Sequence, residues 1–367
     1  MHKNQGPVYY NDYLMLDQLL SSQQVLSKKF ATKDDPEAHD ETLFIIVHQA
    51  YELWFKQILH DLNAVLASFN KAHVEDSDFS AIIQRLDRFR KIQPLFNAHL
   101  EILETMTPMD FLEFRNLLIP ASGFQSTQFR EIEIKLGLST VDREGIDREF
   151  FLGRLNEKDR EKLTKLENTP SLLRLIEKWL ERTPFTNKEN FNFWNEYQAV
   201  IQKMLDDDKK TIESNIAHLT DKEKVAQLEN LKTTKESFEN LFNLESHQKI
   251  VEAGQRKLSQ KAILNALFVM LYRDEPMLSM PYQMLTIVMD IDENFTTWRY
   301  RHALLAQRML GTKIGTGGSS GHQYLKKAAD NNRVFVDLFN LSTYLIPRSR
   351  LPKIPAEIKK QLNFHNV

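Results

Sequence analysis

From Asp40 to Ser68, apolar residues return at the three- and four-residue steps of an α-helix: Leu43, Ile46, Val47, Ala50, Leu53, Trp54, Ile58, Leu62, Val65 and Leu66. On an adjoining face, Phe44, His48, Tyr51 and Phe55 recur at steps of four, three and four. One apolar face is enough for a helix at a surface, so a helix with two is predicted to be deeply buried or to line a pocket. His48 stands inside that aromatic stripe. A second long helix is predicted to begin after Pro281 and to end at Gly311. On it Phe295, Trp298, Leu305 and Met309 share a face with His302, and Arg299 and Arg301 lie beside that histidine in sequence.

Between these helices the chain reads as more helix. No glycine occurs between Gly153 and Gly254, and only Pro170 and Pro184 interrupt that stretch, which is rich in Lys, Glu, Leu and Asn. Such a composition favours helices and offers a sheet few turns. From about Asp159 to Lys249 the pattern is that of charged amphipathic helices with solvated outer faces. The runs Asp206-Asp207-Asp208-Lys209-Lys210 and Lys222-Glu223-Lys224 are expected to face water. No alternating run is long enough to build a sheet. The expected fold is all-α: a single domain over residues 1–367, with a charged helical excursion at about 155–250.

Charge and composition then narrow the chemistry. Lys+Arg is 48 and Asp+Glu is 50, a formal net charge of -2, so the basic excess that nucleic-acid binding needs is missing. There is no cysteine, which excludes disulfides, a thiol nucleophile, iron–sulfur clusters and covalent haem attachment. The N-terminus has no apolar signal-like stretch, and no apolar run approaches roughly 18 residues. A cytoplasmic protein that spans no membrane is expected. The 11 histidines include no His-x-x-x-His pair, so a metal site built from protein alone is disfavoured. Taken singly, His48 and His302 read more readily as core histidines than as ligands.

Two further segments carry candidate chemistry. In Thr107-Pro108-Met109-Asp110-Phe111-Leu112-Glu113-Phe114-Arg115, Thr107 can cap a helix, Pro108 suits its first turn and Asp110 complements its dipole. Phe111 and Arg115 then lie four apart on one face. Arg115 reads either as a surface side chain with a buried stem or as a carboxylate clamp beside an aromatic slot. The small-residue turn Pro120-Ala121-Ser122-Gly123 would let a flat ligand approach the backbone. The run from Gly311 to Gly321 holds five of the 11 glycines. It fits neither the Walker A spacing nor a Rossmann turn. It reads as a surface linker or, better, as a mobile lid closing over a polar ligand, because helical sequence resumes at once.

Together these segments resemble the tryptophan 2,3-dioxygenase family. The resemblance is carried by His39-Asp40-Glu41, Phe44 to Gln49 and Glu52 to Lys56, then by Glu104 to Pro108, Phe114-Arg115 and Pro120 to Ser126. Trp298-Arg299-Tyr300-Arg301-His302, Gly315 to Gly321, Tyr10 to Leu14 and Phe339 to Leu345 extend it over nearly the whole chain, except about 138–258. It implies a multi-helix haem-binding fold and cleavage of the indole C2–C3 bond of L-tryptophan by O2. The product would be N-formyl-L-kynurenine, in the first step of tryptophan catabolism by the kynurenine pathway. The resemblance also implies non-covalent haem b with His302 as axial ligand to iron, and His48 as the catalytic residue, facing the indole N–H. Phe44 and Phe111 would line the indole slot, with Arg115 on the substrate carboxylate, and Thr316 and a haem propionate on the ammonium. Leu118, Ser122 and Gly123 would lie near haem and substrate. Tyr10 and Tyr13, in an N-terminal segment of residues 1–30, would reach a neighbour's site within a homotetramer built as a dimer of dimers.

The residues agree with that chemistry. Without cysteine, histidine is the natural axial ligand, and haem supplies O2 chemistry that no side chain here can. Tryptophan, an apolar ring with a zwitterionic end, needs an aromatic slot, a cationic clamp and acceptors near its ammonium. Three rival readings remain: a haem dioxygenase for other indoleamines, a haem carrier or sensor without turnover, and a helical scaffold that never retains haem.

Overall fold

The computed structural model describes residues 6–71, 74, 76–138, 152–183, 187–188, 191–214, 220–311, 313 and 321–362. Three five-residue helices, α1 (Tyr10–Leu14), α2 (Leu16–Leu20) and α3 (Leu26–Phe30), precede α4 (Glu41–Phe69) and α5 (Asp76–Leu103). The shorter α6 (Pro108–Arg115) and α7 (Thr127–Leu136) follow. The middle segment holds α8 (Glu157–Glu167), α9 (Leu172–Leu180), α10 (Phe193–Ser214), α11 (Asp221–Phe242) and α12 (Leu244–Glu252). The chain continues through α13 (Gln260–Leu271), α14 (Pro276–Leu310), α15 (Gly321–Asn331), α16 (Val336–Asn340) and α17 (Ala356–Leu362). A two-residue antiparallel ribbon, β1 (Asn187–Lys188) with β2 (Phe191–Asn192), is the one sheet among the described residues. The all-α expectation holds.

Local signals place the ends well. Thr107 and Asp110 form a reciprocal capping box at the start of α6, with Pro108 in its first turn. Gly311, at φ 58°, closes α14 as expected. The start of α14 is a correction. The helix begins at Pro276, and Pro281 lies inside it. Either proline suits a first position, and one proline in the second turn removes only a single backbone bond, so the packed helix absorbs it.

The long helices build the core. α14 lies along α5 and is flanked by α15, while α4 packs on α5 and α7. Phe55, Phe96, Phe129, Phe295 and Trp298 meet at this junction, with ring centroids 5.2–6.4 Å apart. One continuous buried cluster runs from Ala38 to Leu362. The face of α4 expected to be most apolar is only partly buried. Val47, Ile58, Leu62 and Val65 are inside, but Ile46 and Leu53 stay 48% and 52% exposed. The aromatic stripe beside them turns inward, with Tyr51 and Phe55 buried, because α5 and α7 cover that side.

The middle segment is less solvated than its composition implied. α9 buries Leu172, Leu173, Leu175, Ile176 and Leu180 against α13 and α4. The charged runs of α10 and α11 do face water, with surface pairs such as Lys232–Glu229 and Lys235–Glu239. α7 stops where α9 crosses it. Gly137 adopts φ 124°, and a Cβ there would stand 2.7 Å from the Leu173 Cβ. Gly137→Ala is therefore expected to destabilise the protein by about 2–4 kcal/mol, backbone strain and overpacking together. A melting temperature equal to that of the unmodified chain would contradict this account.

Candidate active site

α4, α5, α6, α7, α14, α15 and the 122–126 turn enclose a cavity of about 340 Å³. Two histidines reach it from different helices, His48 from α4 and His302 from α14. The walls between them are apolar, supplied by Leu100, Leu103 and Met106 of the α5 end and by Leu305, Met309 and Leu310 of α14. Phe111 and Phe44, 5.7 Å apart, form one wall, and Phe44 lies 4.1 Å from the His48 ring. Trp298 lies 5.5 Å from His302.

The hydrogen bonding of His48 fixes its tautomer. Its Nδ1 is 2.7 Å from the Phe44 carbonyl, which only accepts, so Nδ1 carries the proton and donates it. Nε2 is then an acceptor on a ring that borders the cavity. The ring touches the open volume of the cavity yet is surrounded by protein. Desolvation therefore lowers its pKa, against the opposing pull of the Phe44 carbonyl and Glu52.

His302 is more extreme. Desolvation, and then the proximity of His48, lower its pKa to about 4. It is a neutral imidazole, and among the described residues neither ring nitrogen has a hydrogen-bond partner. No cluster of three or more metal-ligating side chains occurs among the described residues. One imidazole cannot hold a bare ion, since protein metal sites need three or four ligands. It suits an iron already held by four nitrogens of a macrocycle, and the cavity walls are apolar, as a porphyrin face requires.

Sequence similarity decides the family. The sequence pattern described as tryptophan 2,3-dioxygenase matches residues 1–345. The chain belongs to the tryptophan 2,3-dioxygenase family. It is 48% identical over 365 residues to a tryptophan 2,3-dioxygenase of Alteromonas mediterranea, covering 100% of this chain and 99% of that one. One from Bdellovibrio bacteriovorus is 48% identical over 359 residues, covering 98% and 99%. One from Dictyostelium discoideum is 43% identical over 361 residues, covering 98% and 89%.

In this member of the tryptophan 2,3-dioxygenase family, Phe44, His48, Phe111, Ser122, Gly123 and His302 all border the one cavity. Arg115, at the end of α6, and Leu118 are partly buried but do not line it. Tyr10 and Tyr13 sit on α1, 69% and 76% exposed, and do not line the cavity of their own chain. Thr316 and most of the glycine-rich run fall outside the described residues.

Two polar groups at the cavity were not foreseen. Glu52, one turn beyond His48, accepts hydrogen bonds from Ser126 Oγ at 2.6 Å and Gln128 Nε2 at 2.8 Å. They tie α4 to the cap of α7, where Ser126 also accepts from the Phe129 amide. The second group joins α7 to α14. Glu133 accepts from Arg130 at 2.5 Å and from Arg299 at 2.8 Å, and Arg299 also donates to the Asn332 carbonyl at 2.7 Å. Adjacency of Arg299 to His302 was the one sequence signal for this group. No membrane-crossing helix, long and apolar enough, occurs among the described residues.

Proposed function

We propose that this chain is a haem-dependent enzyme that cleaves the indole C2–C3 bond of L-tryptophan with O2, giving N-formyl-L-kynurenine. The observation that carries this reading is the presence of two neutral imidazoles at one largely apolar cavity, each with a distinct state. His302 offers a lone pair with no competing partner among the described residues, as an axial ligand must. His48 offers a fixed acceptor, as an indole N–H requires. Haem b, held non-covalently with His302 on its iron, would supply the O2 chemistry.

The side chains would bind and orient the substrate. Phe44 and Phe111 form the apolar wall for the indole ring, and Nε2 of His48 accepts its N–H. Ser122, Gly123 and Leu118 would border haem and substrate. Arg115 would meet the substrate carboxylate and Thr316 its ammonium. Tyr10 and Tyr13 are exposed and do not line the cavity of their own chain, which supports a role in a neighbour's site. In this reading the catalytic domain spans the whole chain, and four copies form a homotetramer in the cytoplasm.

The full chain loaded with haem should form N-formylkynurenine from L-tryptophan under ascorbate and O2, and should turn over tryptamine far more slowly. A Soret band with no N-formylkynurenine would leave a haem carrier instead. His48 should act as a positioning group worth about one hydrogen bond, roughly 0.5–1.5 kcal/mol, or about 2–10-fold in kcat/KM. His48→Ser is thus expected to slow turnover and leave a measurable remainder. Total loss with haem and substrate still bound would make His48 an essential base.

A further inference from the structure

We infer that Glu52 is a positioning residue for the reaction: its carboxylate ties the 122–126 turn to the face of α4 that carries His48. The inference rests on the function proposed above and deepens it. Glu52 lies four residues after His48, so the two side chains leave one face of α4, and both border the cavity. Ser122, Gly123, Phe124 and Ser126 of the turn border it as well. Glu52 Oε1 accepts from Ser126 Oγ at 2.6 Å and Oε2 from Gln128 Nε2 at 2.8 Å. Both oxygens act as acceptors, the role of a carboxylate. Gln128 Nε2 also donates to the Glu52 backbone carbonyl at 2.9 Å. One residue of α4 thus grips both the cap and the second residue of α7.

The turn moves as one piece. The Ser122 amide donates to Gln125 Oε1 at 3.1 Å, and the Ser126 amide to the Gly123 carbonyl at 3.1 Å. What holds Ser126 therefore also places Ser122 and Gly123, and the turn cannot slide along α4 without breaking the bonds to Glu52. The same charge acts on His48. One helical turn away, it favours the imidazolium, against the larger effect of desolvation, which keeps the ring neutral. The other titratable groups lining the cavity, among the described residues, are Tyr51 on α4, Arg130 and Glu133 on α7, and Arg299 and His302 on α14. Glu52 thus has two separable effects, a tie that depends on Ser126 and a charge that does not.

The test uses Ser126→Ala, which removes the tie and keeps the charge, and Glu52→Gln, which weakens the tie and removes the charge. In the haem-loaded full chain each should lower kcat/KM for L-tryptophan about 10-fold or more, as expected for a lost hydrogen bond to a charged group. The double variant should lose less than the product of the two, because both act through one bond. The pH profile separates tie from charge. His48 must be neutral to accept the indole N–H, so activity falls as the pH drops and the ring gains a proton. Glu52→Gln should move that acid limb to lower pH, since the charge favouring the imidazolium is gone; Ser126→Ala should leave it in place. In the haem-free full chain, amide hydrogen exchange across 122–126 should rise in both variants, and a histidine NMR titration, assigned with His48→Ser, should move only in Glu52→Gln. Unchanged kcat/KM in Glu52→Gln, fully multiplying losses in the double variant, or an acid limb that Glu52→Gln does not move each overturns the inference. Failure of the proposed function is distinct: the unmodified loaded chain would form no product, while exchange and titration in the haem-free chain would still report on Glu52.

Discussion

His302→Ala is expected to leave a folded, helical protein that no longer retains haem and forms no product. The imidazole is the one histidine on α14, and no cluster of three or more His, Asp or Glu side chains occurs among the described residues to hold a metal in its place. Alanine is the best helix former, so α14 should persist. The missing ring leaves space in a cavity that is already open, so the packing loss is smaller than for a residue in the sealed core. Far-UV circular dichroism should therefore match that of the unmodified chain, while the Soret band is lost on gel filtration. Imidazole added to the buffer should restore part of that band by filling the vacated position. Haem retained stoichiometrically with an unshifted Soret band would remove His302 from the iron.

Arg115→Leu should be nearly as damaging. If Arg115 pairs with the substrate carboxylate, its loss leaves that charge desolvated, at about 3–5 kcal/mol, or about 150- to 4000-fold in kcat/KM. Deleting residues through Tyr13 should produce a comparable defect if the tyrosines complete a neighbouring pocket. The two lesions separate when the chains are mixed. Crossing tyrosines would give some pockets both an intact Arg115 and intact Tyr10 and Tyr13, so activity should partly return. Mixed oligomers as inactive as their parents would confine the tyrosines to their own chain.

The helical skeleton was legible because each signal is local, whereas the two histidines, which singly read as core residues, stood out only through the family resemblance. Apolar steps of three and four marked α4 and α14, and Thr107 with Asp110 marked the start of α6. The start of α14 was misread because two prolines, Pro276 and Pro281, carry the same local meaning and only packing decides between them. Buried charge was hidden for a different reason. Arg130 and Glu133 lie three apart on α7 and look like an ordinary surface pair; their burial depends on Arg299, 166 residues from Glu133. Glu52 and Ser126 meet across 74 residues in the same way. Periodicity reports which face of a helix is apolar, but not which distant charge a folded chain brings beside it. The exposure of Ile46 and Leu53 makes the same point in reverse, since nothing in the sequence says which apolar face of α4 its own chain will cover.

The bond between His48 and the Phe44 carbonyl has a consequence for proton traffic. A histidine relays protons when both ring nitrogens face groups that can take and give hydrogen. Here Nδ1 donates to a helix carbonyl, which has no proton to return and no second site to pass one on. A hydrogen that reaches Nε2 from the substrate therefore has no onward route through Nδ1. Insertion of both oxygen atoms into the indole ring needs no net proton, and the ring nitrogen keeps its hydrogen in the formamide product. His48 is thus a cul-de-sac for protons on its Nδ1 side, and a dioxygen insertion asks for no through road there.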